Sequence, residues 1–384
     1  MEELTNPMPT LTREQVSEII DAAFEQGEKP SFKQTDLSDI DLSDIDLSRT
    51  DLSQANLSGA KLVETDFTEA DLSEANLSGA DLTWANFDRA NLHRVNLTGA
   101  NLGGTLLNKA RLAGVILKGV NLNWADLSGA DLRQANLSSG SFRRSNFSRA
   151  NLQEAQLQLT NLQLADLSQT NFTKANLHQA NLREANLCQA NLNQAVLTET
   201  NLFEANLVGA NLLKADLSGA NLKGVRLNET TRMDKKWLLV WELVNQGAGD
   251  RNLTGVDLYG ANLSKTNLTG VSLSQANLSY ANLFMVNLAA ANLQGSNLKA
   301  ADLFNATLTT SDLAKAILIR ADLTRANLSG ANLSQADLTE ANLTRANLTE
   351  ANLVGTILQG ATYTEATRWP AEFDPTVAGA LLQG

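Results

Sequence analysis

His93, His178 and Cys188 are the side chains of this 384-residue chain best suited to nucleophilic or zinc chemistry. A cysteine beside a histidine makes a thiolate nucleophile, and the same pair can hold zinc, but either use needs the groups to meet. One cysteine builds neither a disulfide framework nor a cysteine-based zinc site. Carboxylates are the other candidates. Asp36, Asp39, Asp41, Asp44, Asp46 and Asp51 crowd one short stretch, and carboxylates are ligands of calcium. The stretch has no calcium-loop motif, and the chain has no phosphate-binding glycine loop of the Walker or dinucleotide type. The expectation is that the chain is not an enzyme and has no catalytic residue, no cofactor and no metal site.

Whether these groups meet depends on a period of five. An apolar residue falls at every fifth position from Phe32 to Leu227, through 40 consecutive pentads, and the pattern resumes at Leu253 for 23 more, ending at Tyr363. Two residues before each centre is a small residue, and one before it is usually Asn or Asp, as in Ala205-Asn206-Leu207. Five fits neither the strand period of two nor the helix period of 3.6. The chain must bend at the same place in every unit to keep the small residue and the leucine inside. Four bends close a square coil of about 20 residues, and coils stack at the roughly 4.8 Å spacing of neighbouring strands. Each buried leucine contributes roughly 1.5–3 kcal/mol, so the leucine ladder is core and not a site.

This geometry separates the candidate groups. His93 and His178 each follow the centre of their pentads and lie 17 pentads apart, which is not a multiple of four, so they face different ways. Cys188 is two pentads beyond His178, on the opposite face. The aspartates are likewise sent to successive faces, which favours a solvated rim over a calcium site.

The runs Ala75-Asn76-Leu77-Ser78-Gly79 and Ala215-Asp216-Leu217-Ser218-Gly219 resemble the pentapeptide-repeat family over most of the chain. The tryptophan-bearing insertion and the Trp369-Pro370 tail are similar to those of cyanobacterial members. The resemblance implies an all-β fold, a right-handed quadrilateral β-helix with centre and centre-minus-two residues inside, here with short capping and inserted helices. Some members of the family act on DNA gyrase by presenting a rod that imitates DNA. That role implies acidic side chains along much of the rod.

The charge is distributed otherwise. Of the net −12, residues 1–75 hold 5 Lys/Arg against 18 Asp/Glu, whereas the remainder holds 25 against 24. Without a basic stripe, direct nucleic-acid binding is not expected. No stretch approaches the roughly 20 apolar residues of a membrane span, and the acidic opening Met1-Glu2-Glu3 is unlike a signal peptide. A cytoplasmic protein is expected.

The departures from the repeat set the organisation. Residues 1–29 form an N-terminal helical cap: Thr12 and Gln15 make a capping box, Gly27 stops the helix, and Val16, Ile19, Ile20, Ala23 and Phe24 form its apolar stripe. Residues 30–229 are the first solenoid block. Residues 230–250 are a helical insertion, capped by Asp234 and ended by Gly247, with Trp237, Leu238, Trp241 and Val244 on one side. It either packs on a solenoid face or is displayed as a recognition element. The insertion is one residue longer than a whole number of pentads, so the second block, 251–365, is shifted by one position in the five-residue register. Residues 366–384 are a C-terminal cap or tail, in which Trp369, Pro370, Phe373 and Pro375 break the pattern. These residues are expected to close the last coil, and the apolar run 377–382 is alternatively a homodimer contact through the C-terminus.

Residues four pentads apart share a face, which allows the outer surface to be read in columns. Val63, Trp84, Trp124, Leu164 and Phe203 share one, with Arg143 and Arg144 between Trp124 and Leu164. In the second block Phe284, Met285 and Phe304 share another, and Tyr259, Tyr280, Ile317 and Ile319 the one before it. Outward aromatics and arginines are the usual ingredients of binding hot spots. The candidate partner-binding residues are therefore Trp84, Trp124, Arg143, Arg144, Leu164, Phe203, Trp237, Trp241, Tyr280, Phe284 and Phe304. The expected function is non-enzymatic: a protein–protein interaction or scaffold protein presenting solenoid faces to a protein partner. The alternatives are an acidic DNA mimic acting on a topoisomerase such as gyrase, and an accessory subunit that localises an enzyme.

Overall fold

A computed structural model of the chain describes residues 11–249 and 251–383. The chain divides into two compact units, Met1–Asp216 with Gly224–Met233, and Leu217–Lys223 with Asp234–Gly384. In both, the residue before each centre forms a parallel bridge with its counterpart four pentads on, as Asp36 does with Asn56 and Asn277 with Asn297. Four pentads therefore make one turn. The centres Leu37, Leu57 and Leu77 and the small residues Ala55 and Ala75 are buried. Each pentad closes in a four-residue turn, with the Thr35 N–H donating to the Phe32 carbonyl at 3.1 Å. The third residue of that turn must be left-handed: Gln34 has φ +59° and Trp84 φ +61°. Only one residue per side pairs, so most of the structure consists of isolated bridges and not long strands.

The Asn or Asp before each centre has a physical reason. Asn56 donates its side-chain amide to Asp36 Oδ1 at 2.8 Å, Asn76 to Asn56 at 3.0 Å and Asn96 to Asn76 at 2.9 Å. The same Oδ1 accepts the N–H of the residue two positions on, as Asp36 does from Ser38 at 3.1 Å. The side chain thus ties its own turn and the next coil together. Thr65, at a small inward position, is satisfied by donating to the Leu42 carbonyl of the preceding coil at 2.8 Å, and Thr160 by donating to Leu157 of its own coil at 2.7 Å.

Helix α1 spans Arg13–Glu25, with the capping box of Thr12 and Gln15 formed in both directions. Arg13 donates to the carbonyls of Asp41 and Ser43, and Val16 and Ile20 are buried. The apolar stripe is narrower than its spacing suggests, because Ile19 and Phe24 are 37% and 45% exposed.

In the first unit, strands β1 (Asn211–Leu212) and β2 (Arg232–Met233) pair in parallel. In the second, helix α2 spans Lys235–Gln246 and is packed, with Trp237, Val240 and Leu243 buried. Leu238, expected on the same side as Trp237, is 39% exposed. The helix is tied to the coil of Leu222, whose carbonyl accepts from the Asn245 side-chain amide at 3.0 Å. The second unit continues its stack across the insertion, with the Gly219 N–H donating to the Gly260 carbonyl at 2.7 Å. The step between these glycines is one coil plus the insertion. At the C-terminal end, strands β3 (Thr362–Tyr363) and β4 (Leu381–Leu382) pair in parallel. Trp369 lies edge-on to Tyr363 and stacks on Phe373, 5.3 Å between centroids.

Candidate functional site

His93, His178 and Cys188 follow the centres of pentads on three different sides of the coil. His93 is exposed, Cys188 is half-buried, and His178 Nδ1 is 2.7 Å from Thr198 Oγ1 one coil on. Four of the early aspartates, Asp36, Asp41, Asp46 and Asp51, serve their own turns by accepting the N–H two residues on. Asp36 and Asp41 sit below the usual carboxylate range because the hydroxyl and then the N–H of Ser38 and Ser43 bond to the charged form.

The outer columns carry the candidate surface. In the first unit, backbone bonds run along one column from Asp44 to Val63, Glu64 to Thr83, Trp84 to Gly103, Gly104 to Asn123 and Trp124 to Arg143, each 3.0–3.1 Å. Trp84 and Trp124 are 58% and 57% exposed. Between them lies a groove of about 370 Å³, lined by both indoles, Asn101, Asn121, Asn123 and the glycine pair 103 and 104. The Trp84 ring lies across Gly104, where a Cβ would come within 2.5–2.7 Å of it, so only glycine leaves room for the indole. Arg144 stacks its guanidinium on Trp124 at 4.7 Å. Arg143 is exposed, and its N–H donates to Asn123 Oδ1 at 2.7 Å. Leu164 and Phe203 are half-buried, the latter under Arg183 at 5.3 Å.

The second unit repeats the pairing of rings with cations. Phe284 and Phe304, both half-buried, stack at 5.8 Å, with Lys265 over the first and Arg325 over the second. Tyr280 is 55% exposed and leans on Tyr259. Lys236 reaches from α2 over Trp237 and Tyr259 and bonds Asp257 at 3.2 Å. Burial acts to raise the Asp257 carboxyl, but the Tyr259 N–H and Lys236 outweigh it and hold it low. Trp237 is 6% exposed and belongs to the packing of α2, so it is withdrawn from the accessible surface. Trp241 is half-buried on the same helix. Sequence reasoning missed the cations Arg183, Lys236, Lys265 and Arg325, and the seat at Gly104. A cation within one position of a full coil from a ring was the available signal for Arg183, Lys265 and Arg325.

The pentapeptide repeats family model matches residues 31–231 in overlapping copies, then 252–318 and 321–360. The chain is a pentapeptide repeat protein. Membership of this family implies a right-handed β-helix solenoid, and the chain is similar to solved pentapeptide repeat structures. Among them is HetL, involved in heterocyst differentiation regulation in the cyanobacterium Nostoc sp. strain PCC 7120. It is 30% identical, the match covering 65% of this chain and 86% of HetL, with a TM-score of 0.17. A pentapeptide repeat protein from the Arabidopsis thaliana thylakoid lumen is also 30% identical, over 29% of this chain and 68% of its own, with a TM-score of 0.16. QnrB1, a plasmid-mediated fluoroquinolone resistance protein, is 20% identical over 49% of this chain and 90% of its own, with a TM-score of 0.33. Comparison with curated proteins finds no match. Pentapeptide repeat proteins are generally structural or interaction proteins. Among the described residues, no helix of this pentapeptide repeat protein is long and apolar enough to cross a membrane.

Proposed function

We propose that this pentapeptide repeat protein is a non-enzymatic binding protein that presents its outer columns to a protein partner. The observation that carries the reading is the pair Trp84 and Trp124, each more than half exposed, on one column two coils apart. Single exposed apolar residues are ordinary, but paired indoles beside Arg143 and Arg144 have the composition of an interface core. Both tryptophans also hold left-handed backbone, φ +61° and +64°, where a bulky residue is less at ease than glycine. The left-handed turn itself does not call for tryptophan, since Gln, Glu and Arg hold the same position in other pentads. The DNA-mimic alternative gains no support from charge, because the acidic excess lies within residues 1–75. A cytoplasmic location accords with the single cysteine.

The test is affinity capture from the native cell with the wild type and with the double variant Trp84→Ala, Trp124→Ala. The variant should melt like the wild type and lose the captured partner. Equal recovery rejects the column as the binding face, and co-recovery of an enzyme in fixed ratio identifies an accessory role.

A further inference from the structure

The outward rings of the two units share a habit. Trp124 is covered by Arg144, Phe203 by Arg183, Phe284 by Lys265, Phe304 by Arg325 and Tyr259 by Lys236. Tyr280 is partnered by Tyr259. Among the described aromatic side chains of the outer columns, Trp84 is the one with neither a cation nor a second ring against it. Its column shows why. Arg144 comes from the position one full coil beyond Trp124, whereas the position one full coil beyond Trp84 is Gly104. The indole lies flat across that glycine and leaves its other face to solvent.

The charges along the column have a direction. Asp44 and Glu64, both exposed and left-handed like Trp84, occupy the two preceding coils. Neither is ion-paired among the described residues. Arg143 and Arg144 occupy the coil beyond Trp124, after which the column continues through Leu164, Glu184 and Phe203. A cation approaching this column is attracted at Asp44 and Glu64, stacks on Trp84 and is turned back at the arginines.

We infer that the partner docks a basic, extended segment along this column, with one arginine or lysine seated on the open face of Trp84. The inference rests on the column being the binding face and adds the chemistry of what it binds. The partner supplies the guanidinium that Gly104 withholds.

The probe is a fluorescein-labelled peptide of alternating glycine and arginine, compared with the same peptide carrying glutamine, in fluorescence anisotropy at low salt with full-length protein. The arginine peptide should bind and the glutamine peptide should not. Trp84→Ala should weaken binding about fivefold or more, the order of one cation–π contact. Trp84→Phe should retain part of it, and Trp124→Ala, whose ring is already covered, should change it less than Trp84→Ala. Asp44→Asn with Glu64→Gln should weaken it and flatten its salt dependence. Equal binding of both peptides, or arginine-peptide binding that survives Trp84→Ala in a variant melting like the wild type, overturns the inference. If the peptide fails while cellular capture still depends on Trp84 and Trp124, the binding face stands and only the basic character of its partner falls.

Discussion

The side-chain amide of Asn56 donates to Oδ1 of Asp36, one coil earlier, at 2.8 Å, and Asn76 donates in turn to Asn56 at 3.0 Å. The ladder runs one way, each amide giving to the coil before it. Its first member needs acceptors only, and a carboxylate has nothing but acceptors. Asn56→Ala should therefore cost about 1–2 kcal/mol, because it strips Asp36 of a donor and Asn76 of an acceptor. Asp36→Asn should cost less, since its Oδ1 remains and only the charge on it is lost. Denaturant melts of the two variants separate these outcomes, and equal losses would refute the direction of the ladder.

Acid should loosen the first coils. The Asp36 and Asp41 carboxyls are held low by the hydroxyls and N–H groups of Ser38 and Ser43. A group lowered in the folded state adds stability above its unfolded value, about 3.9 for aspartate, and loses it as pH falls through the folded value. The melting midpoint should be level from neutral pH to about 5 and fall below about 4. Asp36→Asn with Asp41→Asn should make that fall shallower.

Two glycines with nearly the same backbone separate strain from space. Gly79 and Gly104 have φ +69° and +71°, but a Cβ at Gly79 meets nothing within 4 Å while one at Gly104 meets the Trp84 ring. Both alanine substitutions should cost about 1 kcal/mol for the left-handed backbone. Only Gly104→Ala should also shift tryptophan emission, by lifting the indole from its seat. Identical spectra for the two variants would show that Trp84 does not lie there.

The side of α2 that faces the coil is open to the same kind of comparison. Trp237 is 6% exposed and Leu238 is 39% exposed. Trp237→Ala should destabilise the second unit by about 3–5 kcal/mol, whereas Leu238→Ala should stay within about 1 kcal/mol. Limited proteolysis near residues 235–246 should quicken only in the first.

Periodicity made much of the fold legible. A five-residue pattern cannot be laid on a helix or a flat strand, so the residues from Phe32 onward must bend alike. The separation of His93, His178 and Cys188 follows from the same count. The columns were legible too: Trp84, Trp124, Arg143 and Arg144 share a face because each coil copies the one before it.

What the sequence alone determined is therefore which residues point inward and which outward. A local rule repeated in every pentad needs no long-range contact to be read. Tertiary structure alone decided which side of α2 is buried, since a helix's rotation about its axis is set by the coil beneath it. It also decided which outward rings are covered. Arg144 over Trp124 and the Trp84 indole across Gly104 depend on the direction each long side chain takes along its column. That direction is chosen by atoms one coil away, four pentads distant in the chain, and the pentad pattern constrains their backbone but not their reach.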